Sequence, residues 1–232
     1  MQQTSGRTTA IVLAAGTGSR MHADEPKQFM KLGGKRILDY SLEQFERFEP
    51  VSRVIIVTSA PYVQRVRQAA EEAGFDKVTD VICGGANRYD SVYEGLLAAE
   101  GCDYVMIHDA ARPFIDAALL QRNLDLAKEC GASVCGMPCK DTIKICDPNG
   151  VILRTPERSG LYIVQTPQSF AYSLIREAHE TVRAQGMDGI TDDAMVVERA
   201  SGCRVRISEG SYANIKITTP EDLACAQMLL RQ

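Results

Sequence analysis

The chain has 232 residues, 45% hydrophobic and 24% charged, which is enough for one large α/β domain or two small ones around a buried core. A net charge of −4 excludes a general electrostatic grip on nucleic acid, so any polyanion must be held by a local cluster of cations. The opening MQQTSGRTTA holds no signal-peptide core, and no apolar run nears the roughly 18–20 residues that cross a bilayer; a cytoplasmic protein with no membrane partner is expected.

From the N-terminus to about residue 140, short β-branched runs alternate with amphipathic helical patterns, the βαβ rhythm of a parallel sheet. Strands are expected at 9–15, 53–59, 78–84, 103–109 and 132–138, with helices over 35–48, 61–74, 88–100 and 116–130. In the first helix Ile37, Tyr40, Ser41, Phe45 and Phe48 recur at spacings of three or four and form one stripe. The rhythm then changes. TIKIC (142–146) and VILRT (151–155) flank the turn DPNG and read as a β-hairpin, an arm over about 139–170 within one domain spanning 1–232. A plain surface hairpin and a dimerisation arm both remain open on the residues alone. After it come a helix over 172–185, the segment ITDDAMVVERA, strands in VRISE and NIKIT, and a closing helix that starts at Pro220.

Eight cysteines (Cys83, Cys102, Cys130, Cys135, Cys139, Cys146, Cys203 and Cys225) contain no C-x-x-C pair, and several lie inside apolar runs. They are expected to be buried free thiols, not zinc ligands or disulfides.

Open parallel sheets bind ligands beyond the carboxyl ends of their strands. Three such places carry unusual chemistry. After strand one, LAAGTGSRMHADEPKQF offers Gly16 and Gly18, where backbone N–H groups can approach an anion, together with the cations Arg20 and Lys27. This is no Walker A loop, and Met21 occupies the third glycine position of a dinucleotide fingerprint. After strand three, GGANRYDSV combines Gly84 and Gly85 with Arg88, Ser91 and a helix N-terminus. After strand four, IHDAARPF ends a buried strand on Asp109, which suits a Mg²⁺ ligand beside a triphosphate; an ion pair with Arg112 is the competing reading. His108 should alternate to the opposite face and be structural, while His22 and His179 read as loop and surface-helix residues.

LAAGTGSRM…PKQF, GGANRYDSV, HDAARPF, DTIK, QTPQSF, ITDDA and NIKITTPEDL, in this order from about Thr9 to the C-terminus, resemble the 2-C-methyl-D-erythritol 4-phosphate cytidylyltransferase family of the non-mevalonate isoprenoid pathway. The resemblance implies a Rossmann-like, mostly parallel sheet flanked by helices, of the nucleotide-diphospho-sugar transferase type, with a protruding β-arm that completes the neighbour's site in a homodimer. It implies that Ala14, Ala15, Gly16, Gly18, Arg20 and Lys27 hold the CTP phosphates, and that Gly85, Ala86, Arg88 and Ser91 read cytosine and ribose. Asp109 would carry Mg²⁺ and border the acceptor. The acceptor, a polyol phosphate, would meet Arg112, Thr142, Arg158, Thr166, Thr191 and Lys216, with Thr142, Arg158 and Thr166 supplied from the arm region. Arg20, Lys27, Arg158 and Lys216 would be the catalytic set. Asp192–Asp193 stands where the family often has Asp-Glu. A ribitol 5-phosphate cytidylyltransferase is the alternative, disfavoured by LAAG, DAARP and Thr191.

Overall fold

The structure, a computed structural model, describes residues 6–16, 21, 26–186 and 189–231. In chain order its elements begin with β1 (Thr8–Ala14), a 3-10 turn at Lys27–Phe29, the short strands β2 (Lys31–Leu32) and β3 (Lys35–Arg36), and α1 (Ile37–Arg47). Next come β4 (Val51–Thr58), α2 (Val63–Glu72), β5 (Val78–Cys83), α3 (Arg88–Ala98), β6 (Tyr104–Asp109), α4 (Ala117–Cys130) and β7 (Ala132–Pro138). The second half holds β8 (Ile145–Cys146), β9 (Ile152–Arg154), β10 (Tyr162–Ala171), α5 (Tyr172–Gln185), α6 (Asp193–Ser201), β11 (Arg206–Glu209) and α7 (Pro220–Leu229).

Seven of these strands make one sheet in the order β11-β7-β10-β6-β1-β4-β5. Every neighbouring pair is parallel except the two made by β10. Strand alternation sends Ala10, Val12 and Ala14 to one face and Ile11 to the other. On the first face they meet Leu38, Leu42 and Phe45 of α1 and Leu120 and Leu124 of α4. On the second, Ile11, Ile55 and Val57 meet Val92 and Leu96 of α3 and Ile175 and Val182 of α5. Burial on both faces is why these strands read as continuous apolar runs. Each fully buried aliphatic side chain adds about 1.5–3 kcal/mol.

Helix ends follow local chemistry. Asn87, Asp116 and Asp192 cap α3, α4 and α6 through side-chain oxygens that accept from Asp90, Leu119 and Met195 N–H groups. Thr219 and Asp222 form a capping box at α7, with Pro220 in its first turn. No described helix is long and apolar enough to cross a membrane.

Five expectations need correction. Residues 162–171, read as the far part of the arm, form β10 inside the central sheet, so Thr166 belongs to the core and not to the arm. Pro167 and the polar run around it hid this strand, since proline cannot donate to a ladder. NIKIT is not a strand: it is held by Ile217 N–H on the Ala111 carbonyl (2.9 Å) and by the Asn214 side chain on the Thr166 carbonyl (2.9 Å). Its isoleucine alternation packs instead, with Ile217 fully buried against Leu32 and Ile37. His179 is fully buried, stacked 4.6 Å from the Tyr89 ring between α3 and α5, because Tyr89 and Tyr93 turn an otherwise polar helix face inward. The cysteines are all free, yet only Cys135 is buried; Cys83, Cys146 and Cys225 are exposed, on the edge strand β5, in the arm and on α7. The arm hairpin is shorter than read and stands off the core, with Val151, Ile152 and Leu153 at 59%, 57% and 65% exposure.

Candidate active site

Because β1, β5 and β6 run in parallel, their C-terminal ends open on the same sheet edge, onto one cavity of about 390 Å³. Ala15 and Gly16 line it from the β1 loop, with Lys27 and Gln28 from the 3-10 turn that brings the chain back. Gly18 and Arg20 lie outside the described residues. Gln28, absent from the expected site, fixes this loop. Its buried amide donates to the carbonyls of Ala14 (2.5 Å) and Gly16 (3.1 Å), and Thr58 Oγ1 also donates to Ala14 (3.2 Å). A Cβ at Gly16 would meet no atom of the described residues within 4 Å.

The β5 loop forms the opposite wall with Gly85, Ala86, Asn87, Arg88 and Ser91. A Cβ on Gly85 would collide with the Asp90 side chain, which is why glycine is required at this turn. Asn87, also missed in the sequence reading, caps α3, and its amide donates to Asp90 (2.8 Å). The pattern Asn-x-x-Asp is the signal that could have found it. Ser91 is buried and its hydroxyl proton is committed to the Asn87 carbonyl (2.9 Å).

Charge concentrates at the β6 end. Asp109, only 8% exposed, accepts from Arg88 Nε at 3.1 Å and from Lys216 Nζ at 2.6 Å. Burial alone would raise its carboxyl, but Arg88 and Lys216 outweigh that and hold it well below the usual carboxylate range. Arg88 in turn donates from Nη2 to Asp193, at 2.8 Å. The Arg112 side chain makes no ion pair with Asp109, though its backbone N–H donates to the Asp109 carbonyl (2.9 Å); its guanidinium donates to the Asn214 carbonyl (2.8 Å), and its buried Nε has no hydrogen-bond partner among the described residues. Lys216 and Thr218 reach the cavity from the segment before α7. Asp109 is the only carboxylate among the lining residues, and no group of three His, Cys, Asp or Glu side chains converges among the described residues.

Thr166 and His108 lie beneath this floor. Thr166 Oγ1 accepts from the Asp109 N–H (3.0 Å) and lies 3.1 Å from His108 Nδ1. The Arg112 carbonyl, 3.1 Å from His108 Nε2, can only accept, so the ring proton sits on Nε2, near the Ser41 hydroxyl (3.2 Å) as well, and Nδ1 accepts from the Thr166 hydroxyl. Burial depresses the imidazole to about 4, so it stays neutral and structural, as its position before Asp109 implied. Thr142, Arg158 and Thr191 are exposed and do not line the cavity; Arg158 donates to the Lys140 carbonyl (3.2 Å) within the arm region.

The family model IspD, 2-C-methyl-D-erythritol 4-phosphate cytidylyltransferase, matches residues 8–232. A Lachnospira eligens protein of that name is 43% identical over 224 residues, covering 96% of this chain and 99% of its own. The crystal structure of 4-diphosphocytidyl-2C-methyl-D-erythritol synthase from Anaerococcus prevotii superposes with a TM-score of 0.86 at 28% identity, covering 98% and 100% of the two chains. The cytidylyltransferase structure from Thermus thermophilus gives 0.77 at 32%, covering 96% and 98%. Similarity to proteins of this name thus runs over nearly the whole length, and the chain belongs to the 2-C-methyl-D-erythritol 4-phosphate cytidylyltransferase family.

Proposed function

We propose that the chain joins CTP and 2-C-methyl-D-erythritol 4-phosphate, giving 4-diphosphocytidyl-2-C-methyl-D-erythritol and pyrophosphate. One observation carries this reading beyond family membership: Lys27, Arg88 and Lys216 share a single cavity with Gly16, Gly85 and the lone carboxylate Asp109. An acceptor phosphate oxygen bonds to the α-phosphorus of CTP as the bond from that phosphorus to the leaving pyrophosphate breaks. A phosphate monoester, with a second pKa near ~6, is already ionised at neutral pH, so no general base is needed. Catalysis then rests on bringing two polyanions together and neutralising charge on the reacting phosphoryl group.

In this reading Ala14, Ala15, Gly16, Gly18, Arg20 and Lys27 take the triphosphate, and Gly85, Ala86, Arg88 and Ser91 take the cytidine. Arg112, Thr191 and Lys216 meet the acceptor, and the unpartnered Arg112 Nε supports its share. The committed Thr166 hydroxyl favours a role in holding Asp109 over direct contact. A hard divalent ion such as Mg²⁺ fits here as a guest of the triphosphate, since it needs few carboxylates beside phosphate oxygens and water. Asp109 would be its protein ligand, and the ion would supply further charge neutralisation when bound.

The acceptor half calls for a second copy. Thr142 and Arg158 are exposed on an arm whose Val151, Ile152 and Leu153 lack cover. We read the enzyme as one nucleotidyltransferase domain that dimerises through this arm, each arm delivering Thr142 and Arg158 to the other cavity.

The test is pyrophosphate release from CTP and Mg²⁺ with either polyol phosphate. Turnover with methylerythritol phosphate and at most a trace with ribitol 5-phosphate is expected. Equal or better use of the ribitol compound would overturn the acceptor assignment. The names carried by the family model and the relatives favour methylerythritol over ribitol.

A further inference from the structure

Asp193 is 1% exposed and does not line the cavity, yet its carboxylate receives Arg88 Nη2 at 2.8 Å while Arg88 Nε sits on Asp109 at 3.1 Å. We infer that Asp193 is a positioning residue of the nucleotide site, splitting the Arg88 guanidinium between two carboxylates so that it stands along the cavity wall.

The surroundings of Asp193 are built to hold it still. It is the first residue of α6, and its N–H and that of Ala194 both donate to Gln168 Oε1, at 3.0 and 3.1 Å. Gln168 closes the arrangement by donating from Nε2 to Asp192 at 2.9 Å. Gln168 lies in β10, between β6 and β7, so the central sheet fixes the helix start, the helix start fixes Asp193, and Asp193 fixes Arg88. A charge-assisted bond to a planar guanidinium constrains direction as well as distance. Without Asp193, both arms of the fork are released to Asp109, which pulls Arg88 off the wall.

This inference rests on the reading of the cavity as the CTP site, and a double-mutant cycle with Arg88 separates the two. CTP binding is measured by calorimetry, and the KM for CTP and kcat by turnover, in the wild type, D193N, R88A and the double variant. Loss of a negative charge near the cavity would by itself tighten an anion. Weaker binding in D193N therefore reports lost position. The expected result is a loss of about tenfold in CTP affinity for D193N, appearing in KM more than in kcat, from one charge-assisted bond. In the R88A background the same substitution should change affinity by less than about twofold, because coupled residues do not add. D193E, which keeps a carboxylate facing Arg88, should restore most of the affinity; D193S, which removes the carboxylate, carries the same cycle should D193N fail to fold. Equal losses in both backgrounds, or a lowered melting temperature with unchanged CTP affinity, would overturn the positioning role alone. Normal CTP binding by R88A would overturn the nucleotide role of Arg88 and this inference with it.

Discussion

Strands β1 and β10 flank β6 on opposite sides, the first buried throughout most of its length and the second from residue 165 on, and do different work. β1 is apolar on both faces, is held by parallel ladders to β4 and β6, and delivers a glycine loop whose backbone faces the cavity. β10 is the single antiparallel strand of the sheet, and its buried residues 165–169 are largely polar. Each of its polar side chains holds a different segment: Gln165 the Ser211 carbonyl (2.7 Å), Thr166 the Asp109 N–H, Gln168 the start of α6, and Ser169 the Asn123 side chain (2.5 Å). In the proposed reading, one strand presents backbone to the nucleotide, and the other holds the segments that carry Asp109 and Asp193. Buried polar groups survive when satisfied, and a satisfied network specifies geometry that apolar packing leaves loose.

The largest effect expected is on the β1 side. Lys27→Ala should lower kcat by two or more orders of magnitude, the usual loss when transition-state electrostatics go, with little change in melting temperature. Near-normal turnover would remove Lys27 from the chemistry. Arg158→Ala, on the chain leading into β10, should raise the KM for the acceptor roughly tenfold or more while leaving CTP use intact. An effect confined to CTP would contradict its assignment.

A matched pair compares the two strands directly. Ile11→Val in β1 should cost about 1 kcal/mol of stability and leave kcat/KM unchanged. Gln168→Leu in β10 strands two N–H groups, should cost about 2–4 kcal/mol, and should also lower kcat/KM. If both variants merely lost stability in proportion to each other, the division of labour would fail.

A pH-dependent effect contrasts the satisfied side chains of β10 with His179 in the next helix, whose buried ring nitrogens have no hydrogen-bond partner among the described residues. Burial, helped by Arg183, depresses its imidazole to about 3, below the ordinary 6.5. The unfolded chain therefore takes up a proton between those values while the folded one does not, so the contribution is full above pH 6.5 and is lost as pH falls toward 3. Between pH 7 and pH 5 the loss is about 2 kcal/mol, read as a falling denaturation midpoint. The slope should flatten in His179→Phe, which keeps the stack on Tyr89; an unchanged slope would place the titration elsewhere.

The contrast between the strands also explains what could be read in the sequence. β1, β4, β6 and β7 are burial-driven, β5 is a half-exposed edge strand, and the β-branched runs of all five are visible within a residue or two. The cavity residues Ala15, Gly16, Lys27, Arg88 and Asp109 follow from the ends of those strands, whereas Lys216, before α7, was legible only through the family resemblance. β10 was hidden because Pro167 and its glutamines resemble a loop, and their partners lie 24 to 46 residues away. NIKIT misled for the opposite reason: Ile215 and Ile217 alternate as in a strand, but pack beside α7 without a ladder. Gln28 and Asp193 were passed over because their work is done through neighbours, one on carbonyls of the loop, the other on Arg88.

The central claim is transfer of the cytidylyl group itself, and CTP labelled at the α-phosphate tests it most directly. With methylerythritol phosphate and Mg²⁺, the label should pass into a cytidine diphosphate-linked polyol while unlabelled pyrophosphate leaves in equal amount. Label that remains in CTP, or that ends in free cytidine monophosphate without a polyol conjugate, would contradict it.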